Sequence, residues 1–172
     1  TDANKVLVDV LEDQNQEPMV RHEAAEALGA IASPDSLKIL EKYLHDPVIE
    51  VAETCQLALE RIKFFQNPTN HKSILSDNPY NSVDPAPPLP TKDVAELKAI
   101  LIDENATLFE RYRAMFALRN LRNKTAVEAL GEALFCGSAL FKHEIAFVLG
   151  QLQDEHSVSY LKKSLEDESE NE

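Results

Sequence analysis

A ten-residue pattern that returns four times constrains this chain more than any other feature. HEAAEALGAI at 22–31 aligns with HEIAFVLGQL at 143–152, with His, Glu, Ala, Leu and Gly at matching offsets. YRAMFALRNL at 112–121 keeps Ala114, Ala117 and Leu118 in the same register. ETCQLALERI at 53–62 joins more weakly through Ala58, Leu59 and Ile62. The pattern therefore starts at 22, 53, 112 and 143, which is 31 residues apart within each pair and 59 between the pairs. A unit this short cannot bury its own apolar face. It becomes stable by stacking on copies of itself.

Each patterned segment follows a second amphipathic one. Residues 3–12 place Val6, Leu7, Val10 and Leu11 on one face, and 35–44, 94–102 and 126–134 show similar apolar stripes. Residues 158–165 add a last stripe through Val158, Leu161 and Leu165. With four glycines, no tryptophan and abundant Ala, Leu and Glu, the chain favours helix over sheet. The expected fold is all-α: short HEAT-like helical repeats forming an α-solenoid in two halves.

The halves meet at a stretch of different character. NPTNHKSILSDNPYNSVDPAPPLP holds six of the nine prolines and no helical period. We take 1–65 as the N-terminal repeats, 66–92 as a partly extended Pro-rich linker and 93–172 as the C-terminal repeats. The linker is long enough for one half to fold back and face the other. Ser33-Pro34 and Asp46-Pro47 each read as a cap followed by proline in the first helical turn. Gly29 and Gly150 lie near helix ends, where a missing Cβ admits a close neighbour. The closing EDESENE reads as a solvated acidic end.

Charge narrows the partners. A net charge of -13 argues against a nucleic-acid backbone and suits a cationic group. No apolar run approaches the ~20 residues of a membrane span. The N-terminus lacks a signal-peptide pattern, so the expected compartment is the cytoplasm. Cys55 and Cys136 form no CxxC and read as two buried free thiols. The chain opens without Met, near the start of a helical pattern, and is expected to be a piece of something longer.

Two residue pairs carry the chemistry. His22-Glu23 and His143-Glu144 hold the same position in two of the four repeats, while Glu53-Thr54 and Tyr112-Arg113 stand in the others. A single such pair on a helix is ordinary surface, and neighbouring helix positions diverge by about 100°. Recurrence in only two repeats argues against a purely structural role, which every repeat would share. Imidazole and carboxylate together suit iron, manganese or zinc. Two pairs on facing halves would form the nucleus of a dinuclear site.

His45, His71 and His156 read as surface or helix-end histidines. Arg111, Tyr112 and Arg113, followed by Arg119 and Arg122, form a basic island that reads as salt bridges to Glu104 or Glu110, or else as a contact for an acidic partner. No phosphate loop, GxSxG or HExxH is present.

At MVRHEAAEALGAI, DPVIEVAETCQLALERI, NSVDPAPP, LFERYRAMFALRNL and CGSALFKHEIAFVLGQLQDE the chain resembles the deoxyhypusine hydroxylases, and the resemblance covers nearly its whole length. It implies a di-iron monooxygenase, with two Fe(2+) ions per complete site, that uses O2 to hydroxylate the deoxyhypusine residue of the translation factor 5A precursor. It implies two facing halves of short HEAT repeats, each with two His-Glu motifs. Matched position by position, His22, Glu23 and His143 are metal ligands, and Glu144 is a ligand or a substrate contact at the reacting centre. Glu23 also falls among the substrate contacts, and Gly150 matches a glycine lining the substrate cleft.

The departure is that the family has four His-Glu motifs and this chain has two. One repeat before His22 falls ahead of residue 1, and one after His143 falls at about 174–176, past Glu172. The chain is therefore expected to be the central part of the family's full-length chain, or a variant lacking both ends. Self-association would complete the site if each of two chains supplied half. The competing readings are a non-catalytic HEAT scaffold for a basic protein and a chromophore lyase of the short-HEAT type.

Overall fold

The computed structural model describes residues 2–70 and 78–169, and its regular elements are all helical, with no strand among the described residues. His71, part of the linker and the last three residues of the acidic tail lie outside the described residues. The helices are α1 (Asp2–Glu12), α2 (Pro18–Ile31), α3 (Leu37–Lys42), α4 (Ile49–Gln66), α5 (Val94–Ile102), α6 (Leu108–Leu121), α7 (Lys124–Ala133), α8 (Ala139–Leu152) and α9 (Val158–Leu165). The patterned helices start at Pro18, Ile49, Leu108 and Ala139, which reproduces the spacing of 31 within each pair. The fold is an all-α arrangement of HEAT-like repeats.

The described residues form two compact units, 2–70 with Val83–Ala86 and 78–82 with 87–169. In the first, α2 packs most extensively on α4 and on α1. Leu11, Leu28, Leu40, Val51, Leu59 and Ile62 close its core. In the second, α6 packs on α5, α7 and α8. No described helix is long and apolar enough to cross a membrane.

Local chemistry sets the helix ends. Thr107, Asn123 and Ser138 each accept a hydrogen bond from a backbone N–H of the turn they cap. α2, α6 and α8 are each 14 residues long and stop at a left-handed residue in the same register, Ala32, Arg122 and Gln153. Ser33 caps as read, opening a 3-10 turn over Pro34–Ser36 that leads into α3. Asp46 does not open α4 as expected. The helix starts at Ile49, and Asp46 instead receives the Val48 N–H and the Arg21 guanidinium. Its carboxylate was the better partner for a buried arginine than for a helix end.

That arginine reveals a repeated device. Arg21 is 3% exposed, donates from Nε to the Leu11 carbonyl at 3.0 Å, and grips Asp46 with both Nη atoms at 3.1 and 2.5 Å. Burial raises the Asp46 carboxyl, but the Arg21 and Val48 hydrogen bonds outweigh it and hold it below the usual carboxylate range. In the second unit Arg111 donates from Nε to the Leu101 carbonyl at 2.9 Å, so Arg111 and Leu101 stand in the register of Arg21 and Leu11. The register of Asp46 there belongs to Cys136. Arg111 Nη2 is buried without a hydrogen-bond partner, and its guanidinium lies 4.0 Å over the Phe141 ring.

The basic island is thus mostly interior. Arg119 is fully buried and donates to Asn78, Asn120 and Gln151, and its guanidinium stacks on Tyr80 and Phe116. Arg113 reaches the Pro87 carbonyl at 3.1 Å and Glu110 at 3.2 Å. Arg61 holds the Asp84 carbonyl at 3.0 Å and the Gly29 carbonyl at 2.7 Å. Arginines therefore pin the described parts of the Pro-rich stretch to the repeats. Cys55 is buried as expected, and burial pushes its thiol up to about 12. Cys136 is only partly buried, contrary to expectation.

The two glycines of the pattern are not alike. A Cβ on Gly29 would stand 2.7 Å from Ala58 Cβ and 2.9 Å from its Cα, whereas one on Gly150 would meet nothing within 4 Å. Gly29→Ala is expected to lower stability by about 1–3 kcal/mol through overpacking, and Gly150→Ala to raise it by about 0.5–1 kcal/mol through helix propensity. Urea melts of the two variants check the opposite signs. Cys136→Asp replaces a thiol beside Arg111 with a charged acceptor and should raise the melting temperature. The gain expected is about 1 kcal/mol, after the cost of burying the new carboxylate. A fall would show that Cys136 does not stand in for Asp46.

Candidate metal centre

His22 is the fifth residue of α2, on the face that α4 covers. The absent side chain at Gly29 lets the two helices touch at Ala58. One turn earlier on α4 stands Thr54, so the same contact carries its hydroxyl to His22. His22 Nδ1 lies 2.6 Å from Thr54 Oγ1, and Thr54 Oγ1 lies 2.7 Å from the Glu50 carbonyl that accepts its proton. His22 is only 5% exposed.

The other ring nitrogen turns towards acid. Nε2 lies 3.8 Å from Glu23 Oε1 and 3.9 Å from Glu26 Oε2, beyond hydrogen-bond reach, so these contacts are ionic only when the ring is protonated. Glu23 is exposed and Glu26 partly buried. Burial, then Glu23, then Asp84 push the Glu26 carboxyl above the usual range. Glu26 was not among the candidate residues. Its signal was available, because a residue four after His22 shares its helix face while the adjacent Glu23 diverges from it. Asp84, delivered by the Pro-rich stretch, had no signal in the helical pattern.

His143 and Glu144 occupy the matching positions of α8, yet their burial is reversed. His143 is exposed and Glu144 is 9% exposed. The cause lies in the neighbours. On α2 the stripe His22, Glu26 and Gly29 lies under Thr54, Ala58 and Arg61 of α4. On α6 the corresponding Tyr112, Phe116 and Arg119 lie under α8, with Tyr112 6.0 Å from the Phe141 ring and Arg119 bonded to Gln151. For α8 the covering register starts at residue 170, outside the described residues; there His143 is exposed, Phe147 is 55% exposed and Gly150 meets nothing within 4 Å. His45 is exposed, and His156 Nδ1 sits 2.7 Å from Asp154 at a helix start, both as read from sequence.

Among the described residues no group of three or more His, Cys, Asp or Glu side chains is placed to hold a metal ion on its own. The first unit instead offers one imidazole turned to carboxylate, and the second carries His143 and Glu144 side by side in sequence with opposite burial. The first fits a ligand role well, with one nitrogen anchored to Thr54 and the other turned to carboxylate oxygen.

Residues 1–60 match the family described as HEAT repeats, and 110–136 and 141–167 match the PBS lyase HEAT-like repeat. The chain is 59% identical over 170 residues to a deoxyhypusine hydroxylase from Danio rerio, covering 98% of this chain and 56% of that protein. It is 58% identical over 163 residues to the Homo sapiens protein of the same name, covering 95% and 53%. The structure of human deoxyhypusine hydroxylase in complex with glycerol superposes with a TM-score of 0.92 at 56% identity, over 99% of this chain and 58% of that one. The chain belongs to the deoxyhypusine hydroxylase family. It spans about half the length of the curated relatives it matches. The short-HEAT resemblance is thus to the repeat unit, while the deoxyhypusine hydroxylase likeness runs through both units and the Pro-rich stretch.

Proposed function

We propose that this chain carries two of the His-Glu pairs with which a cytoplasmic, iron-dependent deoxyhypusine hydroxylase converts the deoxyhypusine residue of the translation factor 5A precursor to hypusine. The observation that carries the reading is His22, buried, with Nδ1 tied to Thr54 and Nε2 turned to two glutamates. His22, Glu23 and His143 would hold metal. Glu144 would be a ligand or touch the substrate. Iron, when bound, supplies the O2 chemistry at an unactivated C–H that no side chain can perform.

The chain's own residues do the rest. Glu23, Glu26 and Asp84 gather negative charge beside His22, which suits a long cationic side chain. Burial of His22 keeps water from competing at that ring. Gly150, two turns from His143 on the same helix, would line the cleft for the substrate arm. Two histidines and two carboxylates are few for two irons, and a second copy of the chain would add its own pairs.

Anaerobic iron(II) titration followed by metal analysis and size exclusion tests the proposal. Wild-type chain should bind iron. His22→Ala and His143→Ala should each weaken binding beyond the ~10–100-fold that outer-sphere changes produce, and His45→Ala should not. Iron should travel with a dimer peak. Folded protein with no iron above background would overturn the metal reading in favour of a scaffold, and an iron-loaded monomer would refute completion by self-association.

A further inference from the structure

We infer that Thr54 is a positioning residue that fixes the His22 tautomer, placing the proton on Nδ1 and leaving the Nε2 lone pair as the ligating one. The consequence for iron rests on the metal reading above, but the tautomer itself does not.

A hydroxyl has one proton and two lone pairs. The Glu50 carbonyl can only accept, and it lies 2.7 Å from Thr54 Oγ1, so the hydroxyl proton is directed there. Threonine in a helix commonly makes this bond to the carbonyl one turn back. What Oγ1 offers to His22 Nδ1 at 2.6 Å is then a lone pair, and the ring nitrogen must donate. The opposite tautomer would need the hydroxyl to leave the Glu50 carbonyl. That would give up a full hydrogen bond in a buried contact, and the carboxylates of Glu23 and Glu26, at 3.8 and 3.9 Å from Nε2, are out of hydrogen-bond range to replace it.

The assignment gives α4 a role in the site although it carries none of the His-Glu pairs. Thr54 holds the ring plane and turns Nε2 towards the side where Glu23 stands. Removing its oxygen leaves a buried N–H without an acceptor, and the ring relieves this by moving the proton to Nε2, which blocks the ligating position.

Two variants test this. Thr54→Val keeps the shape and removes the oxygen, and Thr54→Ser keeps the oxygen. Long-range 1H–15N spectra of metal-free, 15N-histidine-labelled protein, at a pH where the ring is neutral, read the tautomer directly, with His22→Gln assigning the signal. Wild type and Thr54→Ser should show a protonated Nδ1 and an unprotonated Nε2, and Thr54→Val a shift towards protonated Nε2. Iron(II) alone should bind Thr54→Val ~10–100-fold more weakly and Thr54→Ser nearly as wild type. A wild-type proton on Nε2, or a Thr54→Val spectrum identical to wild type, overturns the inference. So does a shifted tautomer with unchanged iron affinity. Wild-type protein that shows the Nδ1 proton yet binds no iron would instead sink the metal reading and leave the tautomer assignment standing.

Discussion

The first unit depends on how closely α2 and α4 approach at Gly29 and Ala58. There is no space for a Cβ at Gly29, and the atoms opposite are a methyl and the backbone carbon that bears it, neither of which can swing away. From that point the rest follows by helix geometry. One turn back, Thr54 reaches the His22 ring. One turn on, Arg61 reaches the carbonyls that end α2 and the carbonyl of Asp84. A packing contact therefore orients an imidazole, closes a helix end and ties down the stretch that brings Asp84 near Glu26.

The repeat pattern made the helices legible, including their spacing, because stacking units must present the same apolar stripe at each step. The left-handed stops at Ala32, Arg122 and Gln153 show how far the likeness runs. What the pattern could not show is what lies across each stripe. His22 and His143 match letter for letter, yet one is covered by α4, while the register that would cover the other lies outside the described residues. Gly29 and Gly150 differ for the same reason. A stripe is written in one helix, but burial is decided by the next one.

Charged residues were harder to read. The run Arg111–Arg113 reads as salt bridges or a partner contact, and Arg113 does pair with Glu110, but the place of Arg111 emerges only beside Arg21, which uses the same Nε-to-carbonyl bond. In one unit the guanidinium completes an ion pair with Asp46, and in the other it stacks on Phe141 next to a cysteine in the carboxylate's register. Glu26 was missed because adjacent letters drew notice, whereas the helix brings fourth neighbours together. The Pro-rich stretch read as a tether, but Arg61, Arg113 and Arg119 hold its described parts through carbonyl and amide oxygens that no pattern of side chains displays.

If a helix contact sets the ligand, disturbing that contact must disturb the metal even though no ligand is touched. Anaerobic iron(II) affinity of Gly29→Ala and Gly150→Ala, measured on protein shown to be folded by circular dichroism, compares the closed glycine with the open one. The account predicts weakened binding for Gly29→Ala and wild-type binding for Gly150→Ala. Equal affinities for the two variants would contradict it.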